Sequence, residues 1–141
     1  MAEGTVKIWL VGAGMFGGDV HLRAYADMER FGLGGSLARI GLDGFIREVA
    51  PVKVELAAVA TRSERSAQRA QQTYADWTGQ RPAGYHGETP WVDLLKAHPD
   101  VDILAVATPD HLHTPVVLAG LERGVHAIME KPMCLDMAEA D

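Results

Sequence analysis

Three glycines in the run Gly12-Ala13-Gly14-Met15-Phe16-Gly17 have the spacing to bind a pyrophosphate. Gly12 suits a tight turn, Gly14 lets backbone N–H groups approach the phosphates, and Gly17 lets a following helix pack close to a strand. The start of that helix adds unpaired N–H groups and the positive end of its dipole. Other chemistry-bearing residues promise less. His111 and His113 form a His-x-His pair, but no cysteine or acid follows at the spacing of a third ligand, so no metal is expected. Cys134 is the single cysteine, which excludes an internal disulfide, and it reads as a small buried apolar residue. Asp136 and Glu139 are spaced as a helix N-cap and its N3 partner, not as paired catalytic carboxylates.

The glycines need a strand before them and a helix after. Residues 6–11, Val6-Lys7-Ile8-Trp9-Leu10-Val11, are apolar and rich in strand formers, as a central strand requires. Residues 18–30 then read as a helix. Residues 53–60 form a second strand, and Ser63 can N-cap a helix whose Ala67, Ala70, Tyr74 and Trp77 share one face. A short strand is expected within 81–86, followed by a helix with Thr89 as N-cap and Pro90 in its first turn. Residues 101–107 are a fourth strand, 114–123 a helix and 125–129 a fifth strand. This alternation predicts an α/β fold, a doubly wound parallel sheet of Rossmann type with helices on both faces. Residues 31–51 interrupt it. With Gly32, Gly34, Gly35, Gly41 and Gly44 they read as a glycine-rich insertion, a long loop holding one or two helical turns.

The 141 residues suffice for one domain with a sizeable core. A net charge of −6 without a run of lysines or arginines argues against a nucleic-acid or anionic-membrane partner. No apolar stretch approaches the roughly 18 residues of a bilayer span. Met1-Ala2-Glu3-Gly4 lacks the regions of a signal peptide, and with the lone cysteine this makes the cytoplasm the expected setting.

The last third sharpens the picture. Strand residues 101–107 lead into Thr108-Pro109-Asp110-His111-Leu112-His113, and residues 124–129 lead into Glu130-Lys131-Pro132. This order and spacing resembles the N-terminal half of the oxidoreductase family named for glucose–fructose oxidoreductase, inositol dehydrogenase and MocA. The resemblance covers nearly the whole chain apart from 31–51. It implies an enzyme transferring a hydride between a nicotinamide cofactor and a sugar, polyol or related carbonyl substrate. By the same resemblance, Gly12, Gly14 and the backbone of Met15 and Phe16 cradle the pyrophosphate. Thr108, Pro109 and His113 line the nicotinamide end, Glu130 joins the cofactor set, and Lys131 is the active-site lysine. Loss of hydride from an alcohol carbon must be matched by loss of the O–H proton, and a lysine can take part in that transfer or stabilise an oxyanion. The family often has a cis peptide before this proline, so a cis Lys131–Pro132 bond is expected. The competing function is a non-catalytic nucleotide-binding sensor or scaffold, since fold alone does not fix function.

Two departures from the family pattern matter. The second strand ends Ala60-Thr61-Arg62-Ser63, with no carboxylate for the ribose hydroxyls. Thr61 and Ser63 offer hydroxyls and Arg62 can pair with a 2′-phosphate, which favours NADP over NAD. The chain also stops at Asp141, before the family's substrate domain. The expectation is therefore a dinucleotide-binding domain over 1–141, a fragment inactive alone, with an open sheet edge at 125–129 that favours a homo-oligomer.

Overall fold

The computed structural model describes residues 4–49 and 51–140; residues 1–3, which carry most of the leader-type reading, lie outside them. Five strands, β1 (Thr5–Val11), β2 (Lys53–Thr61), β3 (Ala83–His86), β4 (Ile103–Val106) and β5 (His126–Met129), form one sheet in the order β3-β2-β1-β4-β5. Every pairing is parallel. Strand order reverses between β1 and β4, the place where such sheets open a crevice at their carboxyl ends. This is the doubly wound fold expected from the alternation of elements.

β1 is buried on both faces, which explains its continuous apolar run. Ile8 and Leu10 pack with Leu22, Tyr25 and Ala26 of α1 (Leu22–Arg39) and with Ala70 and Tyr74 of α3 (Glu64–Thr78). Trp9 and Val11 face the other way, toward Leu94 and Leu95 of α4 (Pro90–Ala97) and Val116 of α5 (His113–Leu121). β2 keeps the same division across a bulge. Ile8 pairs with Leu56 but Trp9 with Ala58, so Ala57 is the extra residue. Val54 and Leu56 before it and Val59 after it therefore all reach the α1–α3 side.

Local signals at the helix ends mostly hold. The Ser63 hydroxyl accepts the Ser66 N–H at 3.2 Å and caps α3. Pro90 opens α4, although Thr89 makes no side-chain cap bond. The reading of 31–51 as a loop needs correction. α1 continues through it to Arg39, kinked at Gly32 (φ 72, ψ 162), a conformation open to glycine. The Ser36 hydroxyl closes the kink by donating to the Gly32 carbonyl at 3.0 Å. Gly34 and Gly35 stay inside the helix, where Gly34 is buried. Glycine content alone thus overstated the break, and only one of these three glycines uses its freedom. The rest of the segment holds a 3-10 turn at Asp43–Phe45 and the single-turn α2 (Ile46–Val49).

Candidate cofactor site

The strand β1 delivers Gly12 to the β1–β4 reversal, and Gly12 turns there with φ +94°. A Cβ on Gly12 would stand 2.4 Å from the Ala107 carbonyl oxygen, and one on Gly17 would stand 2.0 Å from the Gly12 carbonyl oxygen. These two glycines therefore let backbone pack on backbone. Gly14 differs: a Cβ there meets nothing within 4 Å. Its open space is where a phosphate would approach the chain. Helical backbone begins immediately after, at Met15 and Phe16, and the Gly18 N–H donates to the Gly14 carbonyl at 2.7 Å. The N–H groups of this first turn have no intrahelical acceptor and are free for an anion. A π-turn comes next at Gly17–His21, closed by the Leu22 N–H on the Gly17 carbonyl.

A cleft of about 650 Å³ lies over these strand ends. Gly12, Gly14, Met15, Phe16, Thr61, Arg62, Thr108 and Pro109 all line it. The Thr108 hydroxyl is buried without a hydrogen-bond partner. A buried unpaired hydroxyl is costly, so it fits a wall that meets a polar ligand. The open Gly14 position and this orphan hydroxyl together fit a dinucleotide laid across the cleft.

Four expected site residues stand outside the cleft lining. Ser63 is occupied in capping α3, and Ser66 from the next turn lines the cleft instead. His113 is 1% exposed, with Nδ1 2.7 Å from the Pro132 carbonyl oxygen and Nε2 3.0 Å from the Thr108 carbonyl oxygen. It therefore sits behind the wall formed by Thr108, because the 3-10 turn Asp110–Leu112 carries it into the start of α5. His111 takes the cleft position instead. Glu130 accepts from His21 Nε2 at 2.6 Å, and the Tyr25 hydroxyl lies 3.0 Å from His21 Nδ1. The His21 ring beside Glu130 holds its carboxyl below the usual carboxylate range. Burial first, and the Glu130 charge second, push the Tyr25 phenol up to about 12. Nε2–H serves the carboxylate, and the Tyr25 hydroxyl braces Nδ1. Lys131 is the next residue, exposed, with a cis peptide to Pro132. Among the described residues its ammonium group makes no side-chain hydrogen bond or ion pair.

Glu88 is a lining residue that the sequence reading missed. The Gly87 N–H, at φ +140°, donates to the carbonyls of Thr61 and Arg62 at 3.3 and 3.2 Å, folding the end of β3 across the tip of β2. Glu88 thereby stands in the cleft, 3.7 Å from the Arg62 guanidinium. The cleft thus has an acid from the turn after β3, although β2 ends without one. A glycine directly after a strand was the signal available, but the turn's direction was not. No group of three or more His, Cys, Asp or Glu residues gathers among the described residues, and no described helix is long and apolar enough to cross a membrane.

Residues 6–141 match the family model described as oxidoreductase family, NAD-binding Rossmann fold. The chain belongs to this family. Inositol 2-dehydrogenase 4 of Saccharopolyspora erythraea is 29% identical over 139 residues, 96% of this chain and 31% of that protein. Levoglucosan dehydrogenase of Pseudarthrobacter phenanthrenivorans is 29% identical over 130 residues, 92% of this chain and 27% of that protein. A solved levoglucosan dehydrogenase in complex with NADH superposes with a TM-score of 0.70 at 25% identity, covering 96% of this chain and 30% of that one. The chain spans about a third or less of these proteins' length, and the family match over residues 6–141 takes in both the glycine turn and the Glu130-Lys131-Pro132 segment.

Proposed function

We propose that the protein binds a nicotinamide dinucleotide across the Gly12–Thr108 cleft and serves hydride transfer to or from a sugar, polyol or related carbonyl compound. The cleft carries this reading: its glycine turn has open space only at Gly14, and Thr108, whose buried hydroxyl has no partner, lines the same cleft. The relatives named for inositol and levoglucosan supply the substrate class. The bound nicotinamide supplies or accepts the hydride. The first turn from Met15 and Phe16 holds the pyrophosphate by backbone N–H groups, and Thr108 and Pro109 border the nicotinamide end. Lys131 hydrogen-bonds the substrate oxygen and handles its proton or developing charge.

At the adenosine end the reading is NADP(H) ahead of NAD(H). Arg62 is 86% exposed at the cleft, and its one carboxylate contact among the described residues is a loose 3.7 Å. A 2′-phosphate would displace Glu88 from it. Calorimetric titration with both cofactors tests this. Arg62→Ala should weaken NADP(H) about ten- to hundredfold, the worth of hydrogen bonds to a charged group, and leave NAD(H) nearly unchanged. Tighter NAD(H) binding by the wild-type chain, or an Arg62→Ala variant with full NADP(H) affinity, would refute the preference. Absence of binding by either cofactor would refute the function.

A further inference from the structure

We propose that His21 and His113 are positioning residues that hold Lys131 at the nicotinamide end of the cleft by gripping the residue on each side of it. The proposal rests on the reading of Lys131 as the group that meets substrate. Sheet bonding ends just before it, with the Glu130 N–H on the Val106 carbonyl at 3.0 Å. Beyond that bond, two histidines take over. His21 holds the Glu130 side chain at 2.6 Å, and His113 faces the Pro132 carbonyl at 2.7 Å. Each histidine has its second nitrogen engaged as well. His21 is braced by Tyr25 at 3.0 Å, and His113 reaches the Thr108 carbonyl at 3.0 Å.

The two anchors thus tie the lysine segment to two different elements beside the cleft. His21 leads back to the glycine helix, and His113 leads to the loop that carries Thr108, a residue of the cleft lining. The local backbone is built for the first anchor. The π-turn at Gly17–His21 adds one residue to the helical turn, which rotates the rest of the helix by about 100°. For the second anchor, packing alone is a poor explanation. A ring 1% exposed would be better filled by an apolar side chain unless its nitrogens were needed. Both carbonyls only accept, so the hold on Pro132 calls for the ring N–H at Nδ1. Lys131 itself remains exposed and is held by neither, so its ammonium stays available to a ligand.

The test is NMR on the 15N-labelled chain, first free and then with NAD⁺ or ADP-ribose. In the free wild type the Lys131 amide should be as ordered as β5, with an order parameter of about 0.85. His21→Ala and Glu130→Ala should each drop it below about 0.6, the double variant should go no lower, and His21→Gln should keep most of the order. Unchanged order, or losses that accumulate in the double variant, overturns the His21 anchor. A slowly exchanging N–H on Nδ1 of His113 is expected without any substitution, and its absence overturns the second anchor. With ligands, Gly14 should respond to both and Lys131 to NAD⁺ alone. In His21→Ala the Lys131 response should vanish while that of Gly14 stays. A wild-type chain in which NAD⁺ moves Gly14 but not Lys131 overturns the positioning role. If neither ligand moves Gly14, the cofactor reading fails instead, and the free-chain measurements still decide the anchors.

Discussion

Gly12, Gly14 and Gly17 are one motif in sequence and three different demands in space. An alanine at Gly12 or Gly17 drives Cβ into main-chain carbonyls, and Gly12 adds a positive φ. Each of these substitutions should destabilise the fold by roughly 1–3 kcal/mol or more, read as a lower denaturant midpoint. Gly14→Ala should leave that midpoint unchanged and reduce dinucleotide affinity at least about tenfold, because its methyl group occupies the phosphate's place. Equal loss of stability at all three positions would contradict this division. Glu88→Gln gives a second check at the same scale. Removing its charge from beside Arg62 should tighten NADP(H) more than NAD(H), seen by calorimetry. The turn at Gly12 and the close packing at Gly17 were legible because each stems from what a missing Cβ permits. His113 was not, since its place after Thr108-Pro109 says where the residue falls but not that its ring turns inward to two carbonyls.

Among the elements, α1 and α3 are joined beneath the sheet by one polar contact inside an apolar face. The Tyr74 hydroxyl, on a fully buried ring, donates to the Glu29 carboxylate at 2.5 Å. Burial first and the bond to Glu29 second push the phenol well above its ordinary value. The folded state thus favours the neutral ring. That contribution is complete below the ordinary phenol value near 10 and is lost as pH rises toward the raised folded one. Stability of the wild type should therefore decline from about pH 10 upward, and Tyr74→Phe should flatten this alkaline decline. At neutral pH the same variant should cost about 1–3 kcal/mol, since Glu29 loses its donor. Urea unfolding at both pH values measures the two effects, and a Phe variant with an unaltered alkaline slope would exclude Tyr74 as its source. The apolar stripe of α3 was readable from Ala67, Ala70 and Tyr74 at helical spacing. The second half of α1 was not, because its glycines mimic a loop and the Ser36 bond that bridges the kink is invisible to composition.

At the scale of the whole molecule the sheet is asymmetric. Its strand order was legible because buried parallel strands read as apolar runs and right-handed crossovers leave few arrangements. The same order makes β5 an outer strand, paired only with β4 among the described residues. Its outward edge makes no ladder bond among the described residues, and Ile128, Met133 and Leu135 are about half exposed at 47%, 56% and 60%. Unpaired edges next to apolar side chains recruit further strands, and natural sheets commonly blunt them with charge, proline or a bulge. None of the four residues of β5, His126-Ala127-Ile128-Met129, is a proline, lysine, arginine, aspartate or glutamate. The 141-residue chain should accordingly self-associate through this edge, most simply as a two-fold pair in which β5 meets its own copy. Light scattering across a concentration series should show mass rising above that of one chain. Ile128→Lys, placed on an exposed position of the strand, should shift the mass back toward the monomer without lowering the unfolding midpoint. A chain that stays monomeric at high concentration, or association indifferent to Ile128→Lys, would place the contact elsewhere or remove it.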